Sequence, residues 1–222
     1  MVKNIIFDFD GIILESVDIK TEAFAELFSE HPDYLEDIID HHKNNSGVSR
    51  YEKIGYYYKL IHETEIEMDT YQNYLKQFGK IISEKIYSAS FVSGALEFLK
   101  NNINSYNMYI ASATPQDELR QIVQKKNISK YFKGIYGSPP KKVELTEMIL
   151  DSKKIIKNET IFIGDAISDY DAATQNEIQF IGRISDKRIN PFKTVQKANS
   201  FPIVDDLKDL EGTIRLIDQN ES

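Results

Sequence analysis

The chain has 222 residues, enough for one large domain or a core carrying one insertion. Its formal net charge of -8, from 35 acidic and 27 basic side chains, offers no field to attract nucleic-acid phosphates. A small phosphorylated ligand stays open, since one metal ion and one lysine reverse the sign locally, whereas the absence of cysteine excludes disulfides, thiolate catalysis and cysteine-bound zinc.

A buried strand is expected first. Ile5, Ile6, Phe7 and Phe9 form an apolar run ended by Gly11, as in a parallel sheet covered on both faces. Asp8 and Asp10 stand two apart at its carboxyl end, so their side chains project to one side, where ligands bind in open α/β sheets. Two carboxylates this close repel each other unless a cation or a shared proton relieves them. Magnesium, with its oxygen ligands and room for phosphate, suits the place. Gly11 lets the backbone approach a phosphate closely. The plain alternative is an acidic strand-to-turn junction. With Glu15, these aspartates also give the N-terminal segment the wrong charge for a secretory signal, and no apolar run reaches bilayer length. A soluble, cytoplasmic monomer with no nucleic-acid or membrane partner is the expectation.

From about Ser16 to Ser90 no strand pattern occurs; segments 18–29, 34–42, 51–63 and 70–87 read as helices. A helical block placed directly after the first strand predicts a cap over an active site. Residues 16–88 would form it, residues 1–15 and 89–222 the core, and the crossings near 14–16 and 88–92 the hinge. Within the block, Gly47 and Ser49 mark a loop and Arg50 enters a helix. An arginine fork there suits a second phosphate, a carboxylate or sugar hydroxyls, against the plain reading of an exposed surface arginine. Tyr51, Ile54 and Tyr58 recur at helical spacing, so Tyr51, Tyr57 and Tyr58 read as packing between helices.

Beyond the block, short apolar runs recur at 107–111, 134–136, 160–164, 178–182 and 201–204. Helical patterns at 94–101, 115–126, 143–153 and 169–175 alternate with them, which predicts a doubly wound, Rossmann-like parallel sheet. Ser112 ends the first of these strands. Thr114 as N-cap and Pro115 at N1 account for the following helix start without it, so Ser112 is left to donate to a phosphate oxygen. Lys141 and Lys142 precede a helix, where cations oppose the dipole. A bound phosphate with carboxylate neighbours would compensate one of them, the other being an ordinary surface lysine. The run TIFIGDAISDYDAA then repeats the design of the first strand. Asp165 stands at a strand end and could complete a metal site beside Asp8, with Ser168 as N-cap and Asp169 and Asp171 as first-turn acids.

DFDG at Asp8–Gly11, Ser112 after YIA, Lys142 before Val143–Glu144 and GDAISD at Gly164–Asp169 occur in this order along nearly the whole chain. Together with the helical insertion they resemble the haloacid dehalogenase superfamily, in the phosphatase branch that includes phosphoglycolate phosphatase and β-phosphoglucomutase. The resemblance implies magnesium-dependent hydrolysis of a small phosphate monoester. Asp8 would be the nucleophile and a metal ligand. Asp10 would be the general acid–base, its backbone carbonyl a further ligand, and Asp165 the third. Asp169 would support the site from behind, and Ser112 and Lys142 would hold the phosphoryl group. Gly11, Ala113 and Arg50 would contact substrate. Ile12, Ala113 and Val143 depart from the family's usual residues, yet spacing to the Val143–Glu144 helix start and the family pattern favour Lys142 over Lys141. A sugar phosphomutase uses the same parts, and a phosphate-binding scaffold without catalysis would not need them all.

Overall fold

The structure is a computed structural model that describes residues 1–45, 47–185, 190–197 and 200–220. Six strands form one sheet: β1 (Asn4–Phe7), β2 (Asn107–Pro115), β3 (Phe132–Ser138), β4 (Thr160–Gly164), β5 (Gln179–Arg183) and β6 (Ile203–Val204). Their order is β3-β2-β1-β4-β5-β6, and every pairing is parallel. β1 is therefore central, held by β2 on one side and β4 on the other, with Phe7 in register with both Ile110 and Ile163. Helices α5 (Ala95–Asn101), α6 (Gln116–Lys125), α7 (Lys142–Lys153), α8 (Ile167–Gln175) and α9 (Leu210–Asn220) cover the sheet. The alternation along β1 sorts the core into its two faces. Ile5 and Phe7 join one apolar cluster with α5, α6 and α9, while Ile6 joins another with α7 and α8.

Among the described residues, the segment between β1 and α5 is helical without a strand: αA (Val17–Leu27), αB (Leu35–Asn44), αC (Arg50–His62) and αD (Met68–Ser88). Phe78, Ile82 and Ile86 recur at four-residue steps along αD and are all buried. Their apolar stripe packs with Phe24, Ile38, Ile54 and Tyr57, and this cluster is continuous with one face of the sheet. The buried face of αC runs through Arg50, Lys53, Ile54 and Tyr57. Only Tyr57 of the three tyrosines expected to pack is fully buried; Tyr51 and Tyr58 are half-buried at the edge of that stripe. The chain enters and leaves the block through two extended segments joined by a single antiparallel bridge, Leu14 with Phe91. Glu15 N–H donates to Ser90 at 2.9 Å and Val92 N–H to Ile13 at 3.0 Å.

The predicted strands and helices all recur within a few residues. The terminal helix α9 was not foreseen, and β2 runs on to Pro115. That extension overturns the expected cap. The following helix starts at Gln116 with Pro115 before it and no side-chain cap, and Thr114 turns its hydroxyl elsewhere. Ser168 likewise lies inside α8, whose N-cap position is Ala166.

Candidate active site

Parallel strands place their carboxyl ends together, and the sequence supplies acids there. Asp8 follows β1 directly, its N–H still donating to Ile163 of β4 at 2.9 Å. Asp165 follows β4, and Asp169 lies in the first turn of α8. One carboxylate oxygen of each of these three lies within 4.8 Å of the other two, and all three residues are buried. The backbone at Gly11 makes the close approach possible. Its φ is +77°, and a Cβ there would stand 2.2 Å from Asp165 Oδ2.

Lys142, the first residue of α7, reaches into this cluster with its side chain only 3% exposed. Its Nζ lies 2.8 Å from Asp8 Oδ2 and 2.5 Å from Asp169 Oδ1. Asp169 Oδ2 accepts from the N–H groups of Asp165 and Ala166 at 3.1 and 3.0 Å. Both oxygens of Asp169 are thus spent on protein donors, which fixes Lys142 and the turn carrying Asp165. Lys141 is the N-cap of α7, with a side chain 70% exposed and 3.8 Å from Glu52. Burial favours neutral Lys142, but Asp169 and Asp8 outweigh it and hold its ammonium above the usual lysine range. Burial pushes the Asp8 carboxyl well above its ordinary value; Lys142 opposes that, and Asp169, Asp165 and Asp10 add to it. The cluster is short of positive charge.

Asp10 has a different environment. Its carboxylate accepts from Ser16 Oγ at 2.5 Å and from Thr114 Oγ1 at 2.8 Å, and pairs with Lys20 of αA. Burial alone would raise its pKa, but Lys20 together with the Ser16 and Thr114 hydroxyls brings it to about 2. Asp10 is therefore ionised here, whereas an acid that protonates a leaving group must carry a proton.

Asp8, Asp10, Lys142, Asp165, Ala113 and Arg50 all line one narrow cavity of about 30 Å³. Such a space holds on the order of one water molecule. The block closes it: a Cβ on Gly47 would stand 1.9 Å from Ser168 Oγ, so this loop rests directly on α8. Ser112 is fully buried behind the wall, where its Oγ accepts from Thr114 N–H at 3.1 Å and keeps its own proton for donation. Ala113 O accepts from Ser138 Oγ at 2.9 Å. Arg50 is 7% exposed and not a surface residue; its fork is taken by Glu118 of α6 at 2.9 and 2.6 Å. Asp171 is not among the residues around the cavity.

Sequence reasoning passed over three buried or partly buried cations. Lys20 ties αA to Asp10 and donates to Thr114 at 2.8 Å. Arg183 at the end of β5 donates to Gly11 O at 2.6 Å and pairs with Glu15 at 2.6 Å, which pins the turn after β1. Lys53, 2% exposed, lines the cavity with its Nζ 2.8 Å from His42 Nδ1. A signal for Lys53 existed: it lies three residues after Arg50 and one before Ile54, on the buried stripe of αC.

A search of curated proteins finds no match to the chain. Solved structures share its fold. A predicted phosphatase from Clostridium acetobutylicum superposes with a TM-score of 0.78 at 19% identity, covering 96% of this chain and 99% of that one. A β-phosphoglucomutase from Clostridium difficile gives 0.76 at 18% identity, covering 100% and 98%. A predicted phosphoglycolate phosphatase from Haemophilus somnus gives 0.73 at 17%, covering 95% and 97%. The sequence model for haloacid dehalogenase-like hydrolases matches residues 5–183. With that match spanning most of its length, the chain belongs to the haloacid dehalogenase-like hydrolase family.

Proposed function

We propose that this protein hydrolyses a small phosphate monoester through a phosphoryl group carried transiently on Asp8, with magnesium in the acidic cluster. The observation that carries the reading is the Asp8–Lys142–Asp169 chain beside Asp165: a nucleophilic carboxylate, an anchored cation and too little positive charge around them. The donor set fits a hard divalent ion, being all oxygen and buried. Asp8 and Asp165, with the Asp10 carbonyl, would hold it, and it would neutralise the incoming phosphate dianion. Lys142 would hold an equatorial phosphoryl oxygen while keeping Asp8 ionised and aimed. The backbone at Ala113 would position the group, with Ser112 holding that turn from behind through the Thr114 N–H. Attack by Asp8 on phosphorus would expel the alcohol, and water would then cleave the phosphoryl-aspartate.

Asp10 as found here is set to accept a proton from that water. To protonate the leaving alcohol first, it must lose the contact with Lys20. Because Lys20 belongs to αA, opening of residues 16–88 as a cap would release it. Opening is needed in any case, since a cavity of about 30 Å³ cannot admit a phosphoester. The same closure would suit a phosphomutase, the activity named for the Clostridium difficile neighbour. Release of one inorganic phosphate per ester consumed distinguishes hydrolysis from transfer. The central test is Asp8→Asn: a folded variant with no phosphate release is expected, and appreciable turnover by it would overturn the assignment.

A further inference from the structure

Lys20, Arg50, Lys53 and Lys142 are the lysine and arginine side chains that line the cavity among the described residues. Three are committed to carboxylates: Lys20 to Asp10, Arg50 to Glu118, and Lys142 to Asp8 and Asp169. Lys53 has no carboxylate within ion-pair distance among the described residues; its Nζ meets the imidazole of His42 at 2.8 Å and lies 5.7 Å over the Phe24 ring. A lysine this buried is rarely left without an anion. It also occupies the apolar stripe of αC, where Arg50, Ile54 and Tyr57 are its buried neighbours. A leucine or methionine would pack there without desolvating a charge, so packing does not account for a lysine.

We propose that Lys53, backed by His42, receives a second anionic group on the leaving-group side of the substrate. The ester this protein takes is then compact and carries two acidic groups, a phosphoryl group at Asp8 and a carboxylate or second phosphate at Lys53. This rests on the hydrolase reading above and adds the substrate class. The Phe24, Val48 and Phe78 side chains, which face the same cavity, would hold the short carbon link between the two anions. Charge supports the assignment. Burial, with Lys20 and Lys142 nearby, lowers the Lys53 ammonium to about 7 against the smaller upward pull of Asp10 and Glu52, and a second anion in contact with Lys53 would favour its charged form. Arg50, the residue expected from sequence to meet the remote group, already has its counter-ion in Glu118.

Three matched esters test this: a phosphoryl ester of a three-carbon hydroxycarboxylic acid, its neutral carboxamide, and the analogue with a second phosphate. The native protein should favour an acidic ester over the amide at least tenfold in kcat/KM. Whichever acidic ester is preferred identifies the anion. Lys53→Met, and separately Lys53→Gln, should erase that preference, with the loss in KM for the acidic ester and urea midpoints reporting the fold. Equal turnover of acidic and neutral esters by the native protein, or equal losses on both in the variants, would overturn the proposal. A binding arm needs no turnover. Asp8→Asn protein should bind the acidic ester at least tenfold tighter than the amide by calorimetry, and Asp8→Asn/Lys53→Met should not. That preference without phosphate release from any ester by the native protein would uphold the role of Lys53 and defeat the hydrolase reading. No preference in binding would overturn the role of Lys53.

Discussion

Replacing Lys142 by alanine should separate the two adjacent lysines and report the charge balance of the site. The Lys142 side chain is 3% exposed and bridges Asp8 at 2.8 Å and Asp169 at 2.5 Å. Removing one partner of a buried ion pair costs about 3–5 kcal/mol, because the remaining charge stays desolvated. Lys141 is 70% exposed and 3.8 Å from Glu52, a geometry worth at most about 1 kcal/mol. In metal-free protein, urea unfolding followed by circular dichroism should therefore show a large loss for Lys142→Ala and little for Lys141→Ala. The pH dependence has a definite sign. Asp8 is raised in the folded protein by burial, and Lys142 is the group that opposes the rise. Without Lys142 the folded Asp8 carboxyl goes higher still. A carboxyl raised on folding destabilises the folded state above its unfolded value near 4 and ceases to do so below it. The gap between native protein and Lys142→Ala should thus widen as pH rises past the folded value of Asp8 in the native protein. Phosphatase activity should fall about 100-fold or more in Lys142→Ala. Equal urea midpoints for the two variants, or a gap that narrows as pH rises, would refute the reasoning.

Asp165→Asn should weaken magnesium binding at least tenfold by calorimetry without unfolding the protein, since the carboxylate lies in the acidic cluster beside Asp8. Lys20→Met should move the acid limb of the pH–rate profile upward, because Lys20 is the chief influence holding the Asp10 carboxyl near 2. Arg50→Ala should lower stability by about 3 kcal/mol and leave Glu118 without its partner, while Glu118→Gln keeps one hydrogen bond and costs less; urea titrations compare them. An Arg50→Ala protein with an unchanged midpoint would return that contact to ordinary surface chemistry.

The acidic stations were legible because each sits where an apolar run ends, and in a parallel sheet run ends converge whatever lies between them. Asp8 and Asp165 are over 150 positions apart in the chain, yet β1 and β4 pair directly. Spacing to the helix start and the family pattern favoured Lys142 over Lys141, but residue type alone could not separate them, since both precede the same helix and a one-residue difference in phase decides burial. Thr114 was misread because a local N-cap explained it fully; the long-range bond to Asp10 prevailed once β2 ran on past it. Lys20 and Lys53 escaped notice for a related reason. A lysine on a helix in sequence reads as solvated, and only the placement of αA and αC around the cavity shows that these two point inward.

The antiparallel bridge at the foot of the helical block has a consequence for how such a protein varies. Leu14 and Phe91 face each other, so the ends of the excursion meet at one point although the chain between them is long. A different excursion could be spliced at that junction with β1 and α5 left in place, since the register of β1 with β2 and β4 is set on the far side of it. The chemistry proposed for Asp8 and the choice of ester proposed for Lys53 would then be inherited as separable parts. The strand ends and α7 keep Asp8, Asp165 and Lys142 together, and whatever is grafted at the junction would bring its own counterpart to the role proposed for Lys53.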